Sequence, residues 1–260
     1  MKKWITIFWF SALSMFITQP LLADDYTFAV AENTVDTIVS EVIIKKAYTI
    51  LGHTISIIRL PPKRALNEAS SGTLDGDVQR IYSVGHTYPN LIRIEPPINY
   101  IYGTGFVLKG SKVDVTTWED LKKYRVGIIL GIRFAETNVP KKNSFAYYSY
   151  KKLTEALNEG KIDIGIYPQS NGIYQTLLFG EKNIIPIKTP LSKFDLYHYV
   201  HKKNKHLVKD LTDIFRRFEK NGVLENVRQH VLDISFDRAK KGLEPCFKDY
   251  GCYQKIWKNE

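Results

Sequence analysis

Apolar residues along the chain switch repeatedly between a strand-like run and a helical period. Tyr26 to Ala31 (YTFAVA) predicts a buried strand. Val35 to Leu51 then predicts a helix, with Val35, Ile38, Val39, Val42, Ile43, Ile50 and Leu51 near helical spacing and Gly52 as its stop. Ile55 to Leu60 predicts a second strand closed by Pro61-Pro62, Lys63 to Ser71 a short helix, and Val78 to Ser83 a third strand. Leu91 to Glu95 and Tyr100 to Leu108 follow as strand-like runs parted by Pro96-Pro97. Further strands are expected at Arg125–Leu130, Ser144–Tyr148, Ile162–Tyr167, Ile184–Ile187 and Leu196–His201. Between and after them lie helices at Phe134–Thr137, Lys151–Asn158, Asn171–Phe179, Leu207–Phe218 and Leu224–Ile234, and Thr117 is expected to cap one more, with Asp120 completing the cap. Alternation of this kind predicts an α/β protein with largely parallel sheets covered by helices on both faces.

One stretch organises the rest. Leu66 to Val78 (LNEASSGTLDGDV) reads as a helix end, a glycine stop at Gly72, the apolar Leu74, Asp75 and a new strand. Leu153 to Ile166 (LTEALNEGKIDIGI) repeats the order with Gly160, Ile162 and Asp163. A glycine at this point adopts the left-handed conformation that the exit turn needs. Two such units predict two α/β lobes built alike. Asp75 and Asp163 open their strands, so both are expected to bond backbone in the turn rather than to face a ligand.

The N-terminus bears on the compartment. Lys2 and Lys3 precede the apolar run Trp4–Ile17, Gln19-Pro20 break it, and Leu21-Leu22-Ala23 stand before Asp24-Asp25. This predicts a secretory signal peptide over residues 1–23, cut after Ala23, and hence an exported, periplasmic protein. Lys and Arg number 37 against 27 Asp and Glu, for a net charge of +10, but they are spread along the chain without a basic run, which speaks against nucleic acid as a partner. The two cysteines, Cys246 and Cys252, are expected to form a disulfide that pins the tail.

Four pieces, PPKRALNEASSGTLDGD, VTTWEDLKKYRVGIILG, LTEALNEGKIDIGI and LYHYVHKKNKHLVKDLTDIFRRFEKNGVLENV, resemble in their order the periplasmic solute-binding proteins of the amino-acid type, the extracellular family 3. The resemblance spans about Tyr26 to Val231. It implies a type II periplasmic-binding fold in which two α/β lobes, each a mostly parallel sheet with flanking helices, are joined by two hinge strands and close on a ligand. Lobe 1 would be residues 24–105 plus 191–260 and lobe 2 residues 106–190, with hinges near Gly103-Thr104-Gly105 and Leu191–Leu196.

In such a fold the loops after strands supply the ligand contacts. The candidates are Glu32 and Asn33 after the first strand, Arg64 on the helix after Pro61-Pro62, and Gln79, Arg80 and Tyr82 after Asp75. Gly131, Ile132 and Arg133 lie at a helix start suited to an anion, and Tyr167 and Gln169 end the matching strand of the second lobe. Tyr102, with Tyr100 and Phe106, is either a cleft wall or core packing. Family members grip the α-carboxylate with the arginine of a Thr-x-x-Arg element, but His86-Thr87-Tyr88-Pro89 has none, and Pro168 stands where they carry the ammonium-binding aspartate. The resemblance therefore implies a small polar solute, anionic if Arg64, Arg80 and Arg133 decide it.

No Gly-x-Ser-x-Gly elbow is present, His198 and His201 are expected on opposite faces of a strand, and Gly103-Thr104-Gly105 leads into no helix. No catalytic residue, metal or cofactor is therefore assigned. The expected protein is a monomer that hands its solute to a membrane permease of the ABC type. A sensory protein reporting to a membrane receptor or kinase is the alternative, and an enzyme grown from the binding fold the more distant one.

Overall fold

The computed structural model describes residues 25–32, 34–246 and 251–257, so the expected signal peptide and Asn33 lie outside the described residues. The first half opens with β1 (Asp25–Ala31), α1 (Val35–Ile50), β2 (Thr54–Leu60), α2 (Pro62–Ser71), β3 (Gly76–Ile81), the single-turn α3 (Val84–Thr87), β4 (Leu91–Arg93) and β5 (Asn99–Leu108). The second contains β6 (Val126–Ile129), α4 (Arg133–Asn138), β7 (Ser144–Tyr147), α5 (Tyr150–Asn158), β8 (Ile164–Pro168), α6 (Gln169–Phe179) and β9 (Ile184–Pro186). The chain returns through β10 (Ser192–His201) and ends with α7 (Val208–Lys220) and α8 (Val223–Lys240).

The strands form one mixed sheet in the order β2-β1-β3-β10-β5-β8-β6-β7, with β4 on β10 and β9 on β5. Parallel pairing holds within β2-β1-β3 and within β8-β6-β7. The two parallel blocks are joined by the long antiparallel strands β10 and β5, so the expected pair of separate parallel sheets is a continuous curled one. Tyr100, Ile101, Tyr102 and Gly103 of β5 face β10, whereas Gly103 to Phe106 face β8. The strand thus crosses from one half to the other at Gly103-Thr104-Gly105. A Cβ at Gly103 or Gly105 would meet Phe134 at 2.9 Å or Ile164 at 2.4 Å, so glycine is needed where the crossing strand is packed on both sides.

The repeated stretch makes the same tie in each half. Asp75 accepts the Thr27 N–H at 2.7 Å while its own N–H donates to the Thr27 carbonyl, fastening the α2–β3 turn to β1. Asp163 accepts the Arg125 N–H at 2.7 Å and its N–H donates to the Arg125 carbonyl, fastening the α5–β8 turn to the start of β6. Gly72 and Gly160 both have positive φ at the preceding helix exits.

The larger core surrounds α1, whose buried face meets α7 and α8 through residues such as Ile38, Ile43, Phe215 and Val227. His198 is wholly buried there, its Nε2 beside the Tyr48 hydroxyl and its Nδ1 beside the carbonyls of Asp77 and Val78. The second half has its own cores around Leu121, Ile164 and Ile166 and around Leu153, Ile162 and Tyr167. Three local expectations differ. Residues Glu119–Lys123 form a 3-10 turn, with Asp120 collecting the N–H and hydroxyl groups of Thr116 and Thr117, so the carboxylate rather than Thr117 does the capping. Strand β10 starts at Ser192 because its half-exposed first residues pair with β5. Helix α8 continues to Lys240, its last turns buried through Ser235 and Ala239. Cys246 is bonded to Cys252, and the following Tyr253 and Ile256 sink into the α1 core, Tyr253 meeting the Ser235 hydroxyl.

Candidate ligand-binding site

The tips of β1, β3, β6 and β8 converge where the two halves face each other. They line a cavity of about 70 Å³. From the first half come Ala31, Thr34, Asp36, Thr37, Gln79, Arg80, Ile81 and Val84; the crossing strands add Ile101 and Leu196; the second half adds Gly131, Ile132, Arg133, Phe134 and Pro168. The halves are shut. A Cβ on Gly131, which has φ +85°, would lie 2.7 Å from the Lys63 nitrogen and from Pro62 at the start of α2. Across the same interface the Asn171 side-chain oxygen of α6 accepts the Val35 N–H at 2.9 Å, capping α1 from the other half.

Five of the expected residues, Gln79, Arg80, Gly131, Ile132 and Arg133, are brought together on this wall. The others are placed elsewhere. Arg64 has a side chain 67% exposed and pairs with Glu68. Tyr82 is exposed and lies under the Arg93 guanidinium, 3.5 Å from it, and Tyr102 is exposed on β5 against Tyr100. Tyr167 is buried in the second-half core, stacked on Phe106 at 4.4 Å. Glu32 and Gln169 flank the cavity in sequence, but their neighbours Ala31 and Pro168 form its wall.

Both cavity arginines already have carboxylates. Arg80 is buried, donates from Nε to Asp77 at 2.7 Å and from Nη2 to the Pro62 carbonyl. Burial raises the Asp77 pKa, and the Arg80 charge pulls it back part of the way. Arg133 pairs with Glu136 at 3.0 Å, and the other Glu136 oxygen accepts the Gly131 N–H at 2.7 Å. The N–H group expected to hold an anion is thus occupied from within the chain.

The wall residue that sequence reasoning missed is Asp36, in the first turn of α1. It is 2% exposed, and neither carboxylate oxygen has a hydrogen-bond partner among the described residues. Burial lifts its pKa from 3.8 to about 6, against the opposing pull of the Arg228 charge and the nearby Ser170 hydroxyl. Arg228 itself is turned aside, donating to the Asn99 oxygen at 2.8 Å and lying 4.0 Å from the Tyr100 ring. Asn99 in turn donates to the Asp36 carbonyl and to Gln79. Behind Asp36 stand Tyr150, whose hydroxyl also lacks a partner among the described residues, and Asn171, whose amide nitrogen does too. The signal in the sequence was an acid inside a helix face otherwise buried; Asp36, Ser40 and Glu41 are all 2% exposed or less.

No family model matches the chain. By structure it is similar to an amino acid ABC transporter substrate-binding protein of Streptococcus pneumoniae bound to L-arginine, with TM-score 0.68 and 13% identity over 82% of this chain and 96% of that one. The fold is that of the type II periplasmic binding proteins. A histidine kinase sensor domain with similarity to those proteins matches equally broadly, with TM-score 0.66 and 15% identity over 80% of this chain and 95% of the other. By sequence the chain is 29% identical over 211 residues to an uncharacterized protein of Shewanella oneidensis, covering 77% of this chain and 78% of that protein. No helix of the described residues is long and apolar enough to cross a membrane.

Proposed function

We propose that the protein is exported to the periplasm after cleavage behind Ala23, captures a small polar solute between its lobes as a monomer, and delivers it to an ABC-type permease. The observation that carries this reading is the cavity itself, built from strand tips of both halves beside the point where Gly131 packs against Pro62. A cavity of this construction exchanges its contents by opening the lobes, which suits transient capture. In this reading Gln79 and Arg80 line the site from lobe 1, and Gly131, Ile132 and Arg133 from lobe 2. The similarity to the L-arginine-bound substrate-binding protein supports solute capture, and the similarity to the kinase sensor domain supports a second reading in which the closed form reports its ligand to a membrane receptor.

Mass spectrometry of whatever is released when the protein, purified from the periplasm, is denatured tests the capture reading. A stoichiometric small molecule that rebinds the emptied protein is expected. An empty protein that binds nothing from a periplasmic extract would sink it. Uptake of that molecule by cells lacking the gene separates transport, where uptake falls, from sensing, where it does not.

A further inference from the structure

We infer that Asp36 anchors a positively charged nitrogen, so that the cleft takes a small ammonium- or guanidinium-bearing solute and not an anion. The inference rests on the capture reading and names the chemistry of the captured group.

The argument is one of matching charges at the cavity wall. A buried ionised group is costly unless a partner answers it. Two of the cavity's cations are answered in place, Arg80 by Asp77 and Arg133 by Glu136. Asp36 lines the same cavity and is answered only in part: both oxygens lack a hydrogen bond among the described residues, and the Arg228 charge and the Ser170 hydroxyl offset its burial incompletely. The cation near it, Arg228, is spent on Asn99, Ser170 and the Tyr100 face and belongs to the wall of a different depression, beside Glu225. The donors beside it, the hydroxyls of Tyr150 and Ser170 and the Asn171 amide, are neutral; what the cavity lacks is a charged donor, the kind that best offsets a buried carboxylate. The rest of the wall agrees. Ile101, Phe134 and Leu196 offer an apolar flank, and a volume of about 70 Å³ admits a short chain.

This also accounts for the missing family anchors. Pro168 has no charge to offer an ammonium, and the acid that replaces it comes from the opposite lobe, at the start of α1. Tyr150, Ser170 and Asn171 of the second half stand beside Asp36, so the contact between the halves contributes to enclosing the acid.

The test uses three probes with one carbon chain and different heads: butylammonium, butyrate and butyramide. Each is titrated calorimetrically into the purified protein and into Asp36→Asn. Butylammonium is expected to bind the wild type best, and the substitution to weaken it by roughly tenfold or more, the worth of one charge-assisted bond, leaving butyramide nearly unaffected. A second measurement needs no variant. Asp36 is held near pKa 6, so butylammonium affinity in the wild type falls as pH is lowered from 7.5 to 5. The groups facing Asp36 are Arg228 of α8, Tyr150 of α5, Ser170 and Asn171 of α6, Asn99 of β5, and, around the cavity, Arg80 with Asp77 and Arg133 with Glu136. Of the acids, Asp77 is also raised, so the pH dependence must vanish in Asp36→Asn to be assigned.

Preference for butyrate, or butylammonium binding that Asp36→Asn leaves unchanged, overturns the inference while solute capture stands. Failure of all three heads to bind also overturns it. The mass spectrometry described above then decides separately whether capture itself survives.

Discussion

Asp77 and Asp36 lie in the same half, are buried to within 2% of complete, and are linked through Gln79 and Asn99. Burial raises the pKa of both. They differ in what closes around them. Asp77 is held by Arg80 at 2.7 Å and by the Gln79 N–H, all within one strand of the first lobe. Asp36 has no such partner, and part of its cover, Tyr150, Ser170 and Asn171, comes from the other lobe. The pair teaches that depth alone does not make an acid structural. An acid enclosed and paired within its own half fixes that half, whereas one covered partly by the other half and left without a hydrogen bond among the described residues is, on the capture reading, available to a solute held between them.

The sharpest way to break the contrast is to make Asp77 resemble Asp36. Arg80→Met leaves a buried carboxylate without its cation and is expected to destabilise the protein by about 3–5 kcal/mol in urea unfolding. Adding Asp77→Asn should restore a large part of that loss, because the charge left unanswered is then gone. Additive losses in the double variant would show that Arg80 matters for packing or for its Pro62 bond rather than for Asp77.

The converse change neutralises Asp36. With a folded pKa of about 6 against 3.8, its ionised form costs the empty protein on the order of 3 kcal/mol above pH 6. That cost fades as pH falls from about 6 to 4, where the acid protonates in the folded state first. Asp36→Asn should therefore raise Tm at pH 7.5 and confer no advantage at pH 4. His198 works in the opposite sense. Burial lowers its pKa from 6.5 to about 4, so stability is present above 6.5 and lost as pH falls toward 4. The wild type combines the two opposed terms, and Asp36→Asn should uncover the histidine's acid loss in a Tm series from pH 8 to 4. An unchanged Tm at pH 7.5 would mean that Asp36 is already compensated.

Much of this arrangement is visible in residue order, because the devices that set it are local. The Gly-x-apolar-Asp turns can be read directly, and Asp75 and Asp163 make the backbone ties expected of them. Strand tips are also local, which is why Gln79, Arg80 and the Gly131–Arg133 segment could be named as wall residues. What residue order hides is pairing. Arg133 looks free until Glu136 turns back onto it one helical turn later, and Arg80 until Asp77 meets it from the same strand. Asp36 is hidden for a different reason. One acid near a helix start usually serves the helix's own N–H groups, and only the second lobe shows that Asn171 has taken that role. Tyr167 marks the opposite error: a residue at a strand end whose ring turns into the core onto Phe106.

The remaining prediction separates the two acids by motion. If Asp36 owes part of its burial to the second lobe, holding the lobes apart must move its pKa and spare that of Asp77. Gly131→Ala does this at one atom, since the new Cβ would meet Lys63 and Pro62 at 2.7 Å, one contact with backbone and one with a proline ring, neither of which can step aside. The positive φ of +85° adds roughly 1–2 kcal/mol of strain, which falls on the same loop. Carboxyl-carbon NMR titration is expected to find Asp36 in this variant shifted from about 6 down toward 3.8, as water reaches it through the opened cleft, with Asp77 unmoved behind Arg80. Ligand affinity should fall several-fold together with that shift, because the closed form has become the rarer one. Parallel movement of both acids would mean that the substitution has loosened the first lobe, and movement of neither would place the whole burial of Asp36 within its own half.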